Sequence, residues 1–306
     1  MVGVGYVIRR VNWLSEHSDA SLMRVVVNVF TPCLIADTIL GNPVFARLDN
    51  VLLPPLMGFA TTAAGFGIGW LTRRWPRSKA GVGGERTYAL TVGLCNYGYI
   101  PIPLAQVLFS AGTMGVLFVQ NIGVELAMWL LGLALVSGRS WREGSKYLLN
   151  PPVLAIVGTL LLNALIPRAL IPAAILGGAH LLGQCSIPLG LVLIGATIAD
   201  VLPELREHQG LRLVGVACLI RLVVMPVVIL SIASVLPLSM ELKQVMLLHA
   251  AMPSAVFPIV MARHFGGDAG TALRIVLGTS IASLVTMPLW LKAGLLWLGM
   301  QHGLLG

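Results

Sequence analysis

Residues 93–103 read Gly93-Leu94-Cys95-Asn96-Tyr97-Gly98-Tyr99-Ile100-Pro101-Ile102-Pro103, two glycines, two prolines and several polar groups in the middle of an apolar run. Proline has no N–H and its ring displaces the carbonyl four residues earlier, so a helix through this stretch would release the carbonyls of Tyr97 and Tyr99. The device returns in His249-Ala250-Ala251-Met252-Pro253-Ser254-Ala255-Val256-Phe257-Pro258. There Pro253 releases the carbonyl of His249, and Pro258 that of Ser254. Unpaired backbone is costly in hydrocarbon, so such breaks persist where protein or a water-filled cavity surrounds them. A single proline of this kind reads as a kink between packed helices. Two breaks at equivalent places read better as the walls of a binding site.

The surroundings of both stretches are membrane. Of the 306 residues 57% are hydrophobic and 10% charged, where a soluble domain carries about 25% charged residues; mean hydropathy is +0.89. At roughly 20 residues per span, this length allows about nine or ten helices. Apolar runs place them near 22–40, 51–72, 87–110 and 114–137, then 152–166, 172–202, 211–236, 241–264 and 270–299. The fold class is an all-α polytopic membrane protein. The formal charge of +8 sits in short loops, not along one helix face, which excludes nucleic acid as the partner and makes the charge a matter of topology. Arg73, Arg74, Arg77, Lys79 and Arg86 crowd one loop and Arg139, Arg142 and Lys146 another, so these loops are assigned to the cytoplasm.

The two groups of spans echo one another. Pro188 follows Pro32 by 156 positions and Pro258 follows Pro101 by 157. An odd number of spans in the first half turns the second upside down, which is the geometry of an inverted repeat. The expected domains are a first repeat over 1–137 (helices 1 to 5), a cytoplasmic linker over 138–149 and a second repeat over 150–306 (helices 6 to 10). Asn150-Pro151-Pro152 opens the sixth helix, and the same offset puts the opening of the first several positions before Met1. Met1–Ile8 is therefore expected to be the end of a truncated first helix.

Chemistry of other kinds finds little support. Cys33, Cys95, Cys185 and Cys218 are dispersed in apolar segments without CxxC spacing, which argues against zinc and against a disulfide framework. No HExxH or GxSxG occurs, and the few histidines and acids do not cluster, so neither an enzyme nor a cofactor is expected. Glu125 and Arg221 lie about ten residues inside their spans, near the midplane. Intramembrane charges pair or face cavities, so these two are expected as ion-pair partners or as coupling and substrate groups. His249, beside the second break, is read as a proton relay or as a hydrogen-bonded packing residue. Asp37 and Asp200, near helix ends, are assigned to topology.

Asn28-Val29-Phe30-Thr31-Pro32, Cys95-Asn96-Tyr97-Gly98-Tyr99-Ile100-Pro101, Asn150-Pro151 and Ala251-Met252-Pro253-Ser254-Ala255 resemble the auxin efflux carrier family of membrane transporters. The resemblance extends over nearly the whole chain. It implies ten helices in two inverted repeats of five, with crossed, broken fourth and ninth helices, as in the bile-acid and sodium–proton transporter architecture. It also implies an organic anion as substrate. The chain departs from the family in its short first helix and in the absence of a long hydrophilic linker.

The expectation that follows is a multi-pass permease of the inner or plasma membrane that moves small mono- or dicarboxylates by alternating access, proton-linked or facilitative. The alternative is a sodium-coupled symporter of bile-acid type, with Na⁺ held by freed carbonyls. The substrate-binding set is Asn96, Tyr97, Gly98, Pro101, Asn121, Pro253, Ser254 and Pro258, with Glu125, Arg221 and His249 for coupling or charge pairing. The partners are the lipid bilayer, the anion and a proton or sodium ion, and a homodimer is compatible with this reading.

Overall fold

The computed structural model describes residues 1–76, 81–138, 145–166, 170–201 and 210–300. Arg77, Lys79, Arg139, Arg142, Arg168 and Arg206, and with them part of the topological reading and most of the linker, lie outside the described residues. Along the chain run α1 Val2–Arg10, α2 Glu16–Val25, α3 Thr31–Ile39, α4 Asp49–Thr72, α5 Gly81–Gly93, α6 Pro101–Leu108, α7 Ala111–Ala127, α8 Leu133–Ser137 and α9 Pro151–Leu165. They continue as α10 Ala173–Gln184, α11 Ser186–Val201, α12 Leu211–Leu219, α13 Met225–Val235, α14 Met240–Ala251, α15 Phe257–Phe265 and α16 Ala269–Trp297. Single π turns at Val26–Phe30, Met128–Gly132 and Ile220–Val224 join α2 to α3, α7 to α8 and α12 to α13.

Six of these stretches are apolar and long enough to cross a membrane: Ser21–Ile39, Asp49–Thr72, Ala111–Ser137, Ala173–Asp200, Leu211–Val235 and Ala269–Trp297. Leu161, Leu165, Leu181, Leu284 and Leu289 are among the large apolar side chains left exposed on the helices, as a hydrocarbon solvent requires. This is a multi-pass membrane protein. The helix starts follow local chemistry: the side chains of Ser110, Asn150, Ser239 and Asp268 accept from the backbone N–H three residues on, supplying partners that the first turn lacks. Pro151 opens α9 where a missing N–H costs nothing.

The chain forms two compact units, and each draws on both sequence halves: Met1–Leu48 with Leu149–Glu207, and Asp49–Leu148 with His208–Gly306. In the first, α1 lies on α11 with backbones in contact. A Cβ on Gly5 would meet the Val192 carbonyl oxygen at 1.9 Å, and one on Gly195 the Val2 oxygen at 2.0 Å. Buried Arg9, at the end of α1, donates to the Leu14 carbonyl (2.5 Å), pairs with Asp19 and lies 3.1 Å from Asp200. Asp200 is thus more than a topological charge. Beside Pro32 and Pro188, the hydroxyls of Thr31 and Ser186 meet at 3.0 Å.

In the second unit α4 packs against α5 and α7 through glycines. A Cβ on Gly123 would stand 1.8 Å from the Pro55 carbonyl oxygen, one on Gly58 2.2 Å from that of Gln120, and one on Gly65 2.5 Å from that of Gly93. Small residues let membrane helices approach this closely, where van der Waals contact and not hydrophobic burial holds them. Helix α16 packs on α5, α12 and α14. This scaffold holds the two broken helices, α5/α6 and α14/α15.

Candidate functional site

Both stretches that open the sequence reading are interrupted. Helix α5 ends at Gly93 and α6 starts at Pro101; α14 ends at Ala251 and α15 starts at Phe257. Pro101, Pro103 and Pro258 fall in the first turn of the second half-helix, where no N–H is needed. The connecting residues run antiparallel. Asn96 N–H donates to the Pro253 carbonyl (2.8 Å) and Ala255 N–H to that of Leu94 (2.9 Å), with Cys95 and Ser254 directly opposed between the two bonds. Each break thereby satisfies part of the backbone of the other.

The released carbonyls find partners in neighbouring helices. Asn121, on α7, donates its side-chain amide to the Tyr97 oxygen at 2.9 Å, which is the group Pro101 displaces. Arg221 donates from Nη2 to the His249 oxygen (2.8 Å), the group Pro253 displaces, and from Nε to that of Met252 (3.0 Å). A third case lies on the helix of Arg221: Pro226 bars an N–H from the Leu222 carbonyl, and the indole of Trp290 donates to it at 2.6 Å. Asn96 bends its own loop, accepting at Oδ1 from the N–H of Gly98 and of Ile100, both at 3.4 Å.

The expected ion pair between Glu125 and Arg221 is a correction. Among the described residues the two form none. Half-buried Glu125 accepts instead from the Tyr97 hydroxyl (2.8 Å) and the Trp129 indole (3.0 Å). Arg221, 1% exposed, is turned to the backbone. The physical reason is that the second break presents two carbonyl oxygens at the guanidinium, and planar N–H forks bond oxygens of either origin. His249 is a buried, hydrogen-bonded residue: its Nδ1 lies 3.0 Å from the side-chain amide of Gln120, on α7.

Several polar atoms around the crossing remain without a hydrogen-bond partner among the described residues: Ser254 Oγ, Asn121 Oδ1, Gln120 Oε1 and His249 Nε2. All four residues are more than nine-tenths buried. Leaving such a group unmade costs about 1–3 kcal/mol, so each would gain from a partner that reached it, although all four atoms are closed off by the surrounding chain as it stands. A Cβ at Gly98, in the first break, would meet nothing within 4 Å. The backbone of the first break is therefore not packed against a neighbour at this position.

Asn96, Tyr97, Gly98, Pro101, Pro253, Ser254 and Pro258 lie in the two breaks or at the start of the half-helices that follow, Asn121 and Glu125 bond Tyr97, and Arg221 bonds the carbonyls of His249 and Met252 beside Pro253. Sequence reasoning missed Gln120, Trp129 and Thr279, whose hydroxyl accepts from Ser254 N–H at 3.3 Å. Gln120 and Trp129 left a signal: an amide inside an apolar span, and an indole one helical turn after Glu125. Thr279 left none, being one of many threonines in helices. Trp129 extends the cluster outward, stacking on Tyr147 at 4.5 Å between ring centres and meeting Phe257, the first residue of α15, edge-on at 5.5 Å.

Known proteins bear on what such a crossing does. A family model described as a membrane transport protein matches residues 1–147 and 142–291. A protein of Methanothermobacter thermautotrophicus described as an uncharacterized transporter is 29% identical over 296 residues, covering 95% of this chain and 94% of the relative.

Proposed function

The chain belongs to the membrane transport protein family, and on that premise we propose that it is a secondary carrier for small organic anions, with its substrate site at the crossing of the two broken helices. The antiparallel pairing of Leu94–Asn96 with Pro253–Ala255 carries this reading. It joins two half-helix N-termini, those of α6 and α15, in one compact unit. Helix N-termini carry partial positive charge and free N–H groups, which suit a carboxylate near the midplane. The Ser254 hydroxyl adds a buried donor with no present partner among the described residues.

Several observations support two inverted repeats of five helices. The second segments of the two compact units begin at Leu149 and His208, the first at Met1 and Asp49, so that the unit boundary recurs 159 positions on from Asp49. Each of α4, α5, α6 and α7 has a partner of matching kind in the second half: α12 with α13, α14, α15 and α16. Cys95 faces Ser254, and Thr31 touches Ser186, at nearly the repeat offset. Equivalent positions that touch lie close to a two-fold axis. In this reading access to the site alternates between the faces of an inner or plasma membrane, driven by a proton or by the substrate gradient alone.

Proteoliposomes holding the purified chain should show saturable counterflow of a radiolabelled mono- or dicarboxylate. Asn96→Ala, which removes the acceptor shaping the first break, should weaken it about tenfold, the equivalent of about 1.4 kcal/mol. Inactivity of the folded wild type across a panel of both anion classes would overturn the proposal.

A further inference from the structure

The carbonyls freed by the second break are already occupied. The His249 oxygen has only a long 3.4 Å contact from Met252 N–H within its own chain turn, because Pro253 offers none. The Met252 oxygen lies where α14 has ended. Both point at one guanidinium. Arg221 reaches them from a π turn, Ile220–Val224, an insertion that re-aims side chains and often marks functional positions. Among the described residues its side chain is one of the largest that are fully buried, and it has no carboxylate partner there.

Burying a cation without a counter-ion costs several kcal/mol unless dipoles compensate. Here the dipoles are two backbone carbonyls at the negative end of α14, the same kind of oxygen that coordinates sodium or potassium in proteins. A guanidinium bonded this way does for the carbonyls what a bound metal cation would do. It also leaves its positive charge, with no mobile ion, beside the break that we read as part of the anion site.

We propose that Arg221 is a built-in substitute for a coupling cation, so that the crossing is permanently charged and carries its anion without sodium. This rests on reading the crossing as the transport site and deepens it. The carbonyls that a sodium-coupled carrier would offer to its ion are filled by a side chain that cannot leave. Arg221 is a positioning and charge-supplying residue in this scheme.

The test needs no organic anion, so its failure is distinct from failure of the carrier reading. The purified full chain is held at constant ionic strength in sodium, potassium, lithium or choline chloride, and both thermal midpoint and saturable binding of radiolabelled sodium are measured. The wild type and Arg221→Lys, which keeps a fixed charge, are expected to have the same midpoint in every salt and to bind no sodium. Arg221→Ala opens the carbonyls, and its lowered midpoint is expected to rise in sodium relative to choline. Saturable sodium binding by the wild type would overturn the proposal, as would a folded Arg221→Ala that is indifferent to the cation supplied. Should Arg221→Ala not fold, the wild-type measurement decides alone.

Discussion

Gly98→Phe should abolish transport and leave the fold intact. The position lies in the first break, and a Cβ added there meets no atom within 4 Å, so the side chain starts without a clash. Its backbone N–H donates to Asn96 Oδ1 in a long bond of 3.4 Å. A phenyl ring would instead fill the space beside the crossing of the two broken helices. If that space receives the substrate, affinity should fall about 100-fold or more, the equivalent of about 2.8 kcal/mol. The midpoint of thermal unfolding should stay at the wild-type value. Counterflow at the wild-type rate in a folded Gly98→Phe protein would show that the substrate takes another route.

The opposite pattern is expected at Gly123. Helices α4 and α7 touch there backbone to backbone, with the Pro55 carbonyl oxygen 1.8 Å from where a Cβ would sit. No rotamer relieves that clash, since the opposing atom is main chain, so the helices must separate. Overpacking costs typically 1–3 kcal/mol, and Gly123→Leu should reach the upper end, about 3 kcal/mol, or fail to assemble. Gly67 lies on the same helix α4 but is exposed, with nothing within 4 Å of its Cβ position. Gly67→Leu should therefore match the wild type in thermal unfolding, and equal stability of the two variants would contradict the packing described here.

The two variants also mark how far the sequence is legible. The breaks can be read because prolines there are grouped with glycine and polar residues and recur in both halves; a proline alone does not decide it, since Pro54 and Pro55 lie inside α4 and Pro288 inside α16 without breaking them. Offsets of 156 and 157 positions between Pro32 and Pro188, and between Pro101 and Pro258, make the echo between halves visible. Gly58, Gly65 and Gly123 could not be singled out: among 34 glycines nothing local separates those that touch backbone from those that face open space, such as Gly67. The interleaving of the two compact units was likewise hidden, because helices next to one another in sequence need not belong to one unit.

Arg221 shows why partners are harder to read than positions. Its placement deep in a span is legible from hydropathy, and so is that of Glu125. Pairing the two follows from looking only for opposite side-chain charges. The groups that hold Arg221 are main-chain oxygens of His249 and Met252, and a carbonyl is common to every residue type. The clue was nevertheless present, since the proline rule names the His249 carbonyl as one that needs a donor. Asn121 and Tyr97 repeat the lesson: both stand out in the sequence, and their hydrogen bond joins them through a carbonyl, not through the phenol.

The most direct measurement asks whether the two breaks face each other in the membrane. Cys95 and Ser254 oppose one another between the hydrogen bonds of Asn96 to Pro253 and of Ala255 to Leu94. Such non-hydrogen-bonded antiparallel pairs have Cα atoms about 4.5 Å apart, within the range a disulfide spans. With Cys33, Cys185 and Cys218 changed to serine, Ser254→Cys should oxidise to an intramolecular disulfide with Cys95, identified by mass spectrometry of the peptides it joins. A folded, membrane-embedded protein that keeps both thiols free under the same oxidation would contradict the crossing and the site built on it.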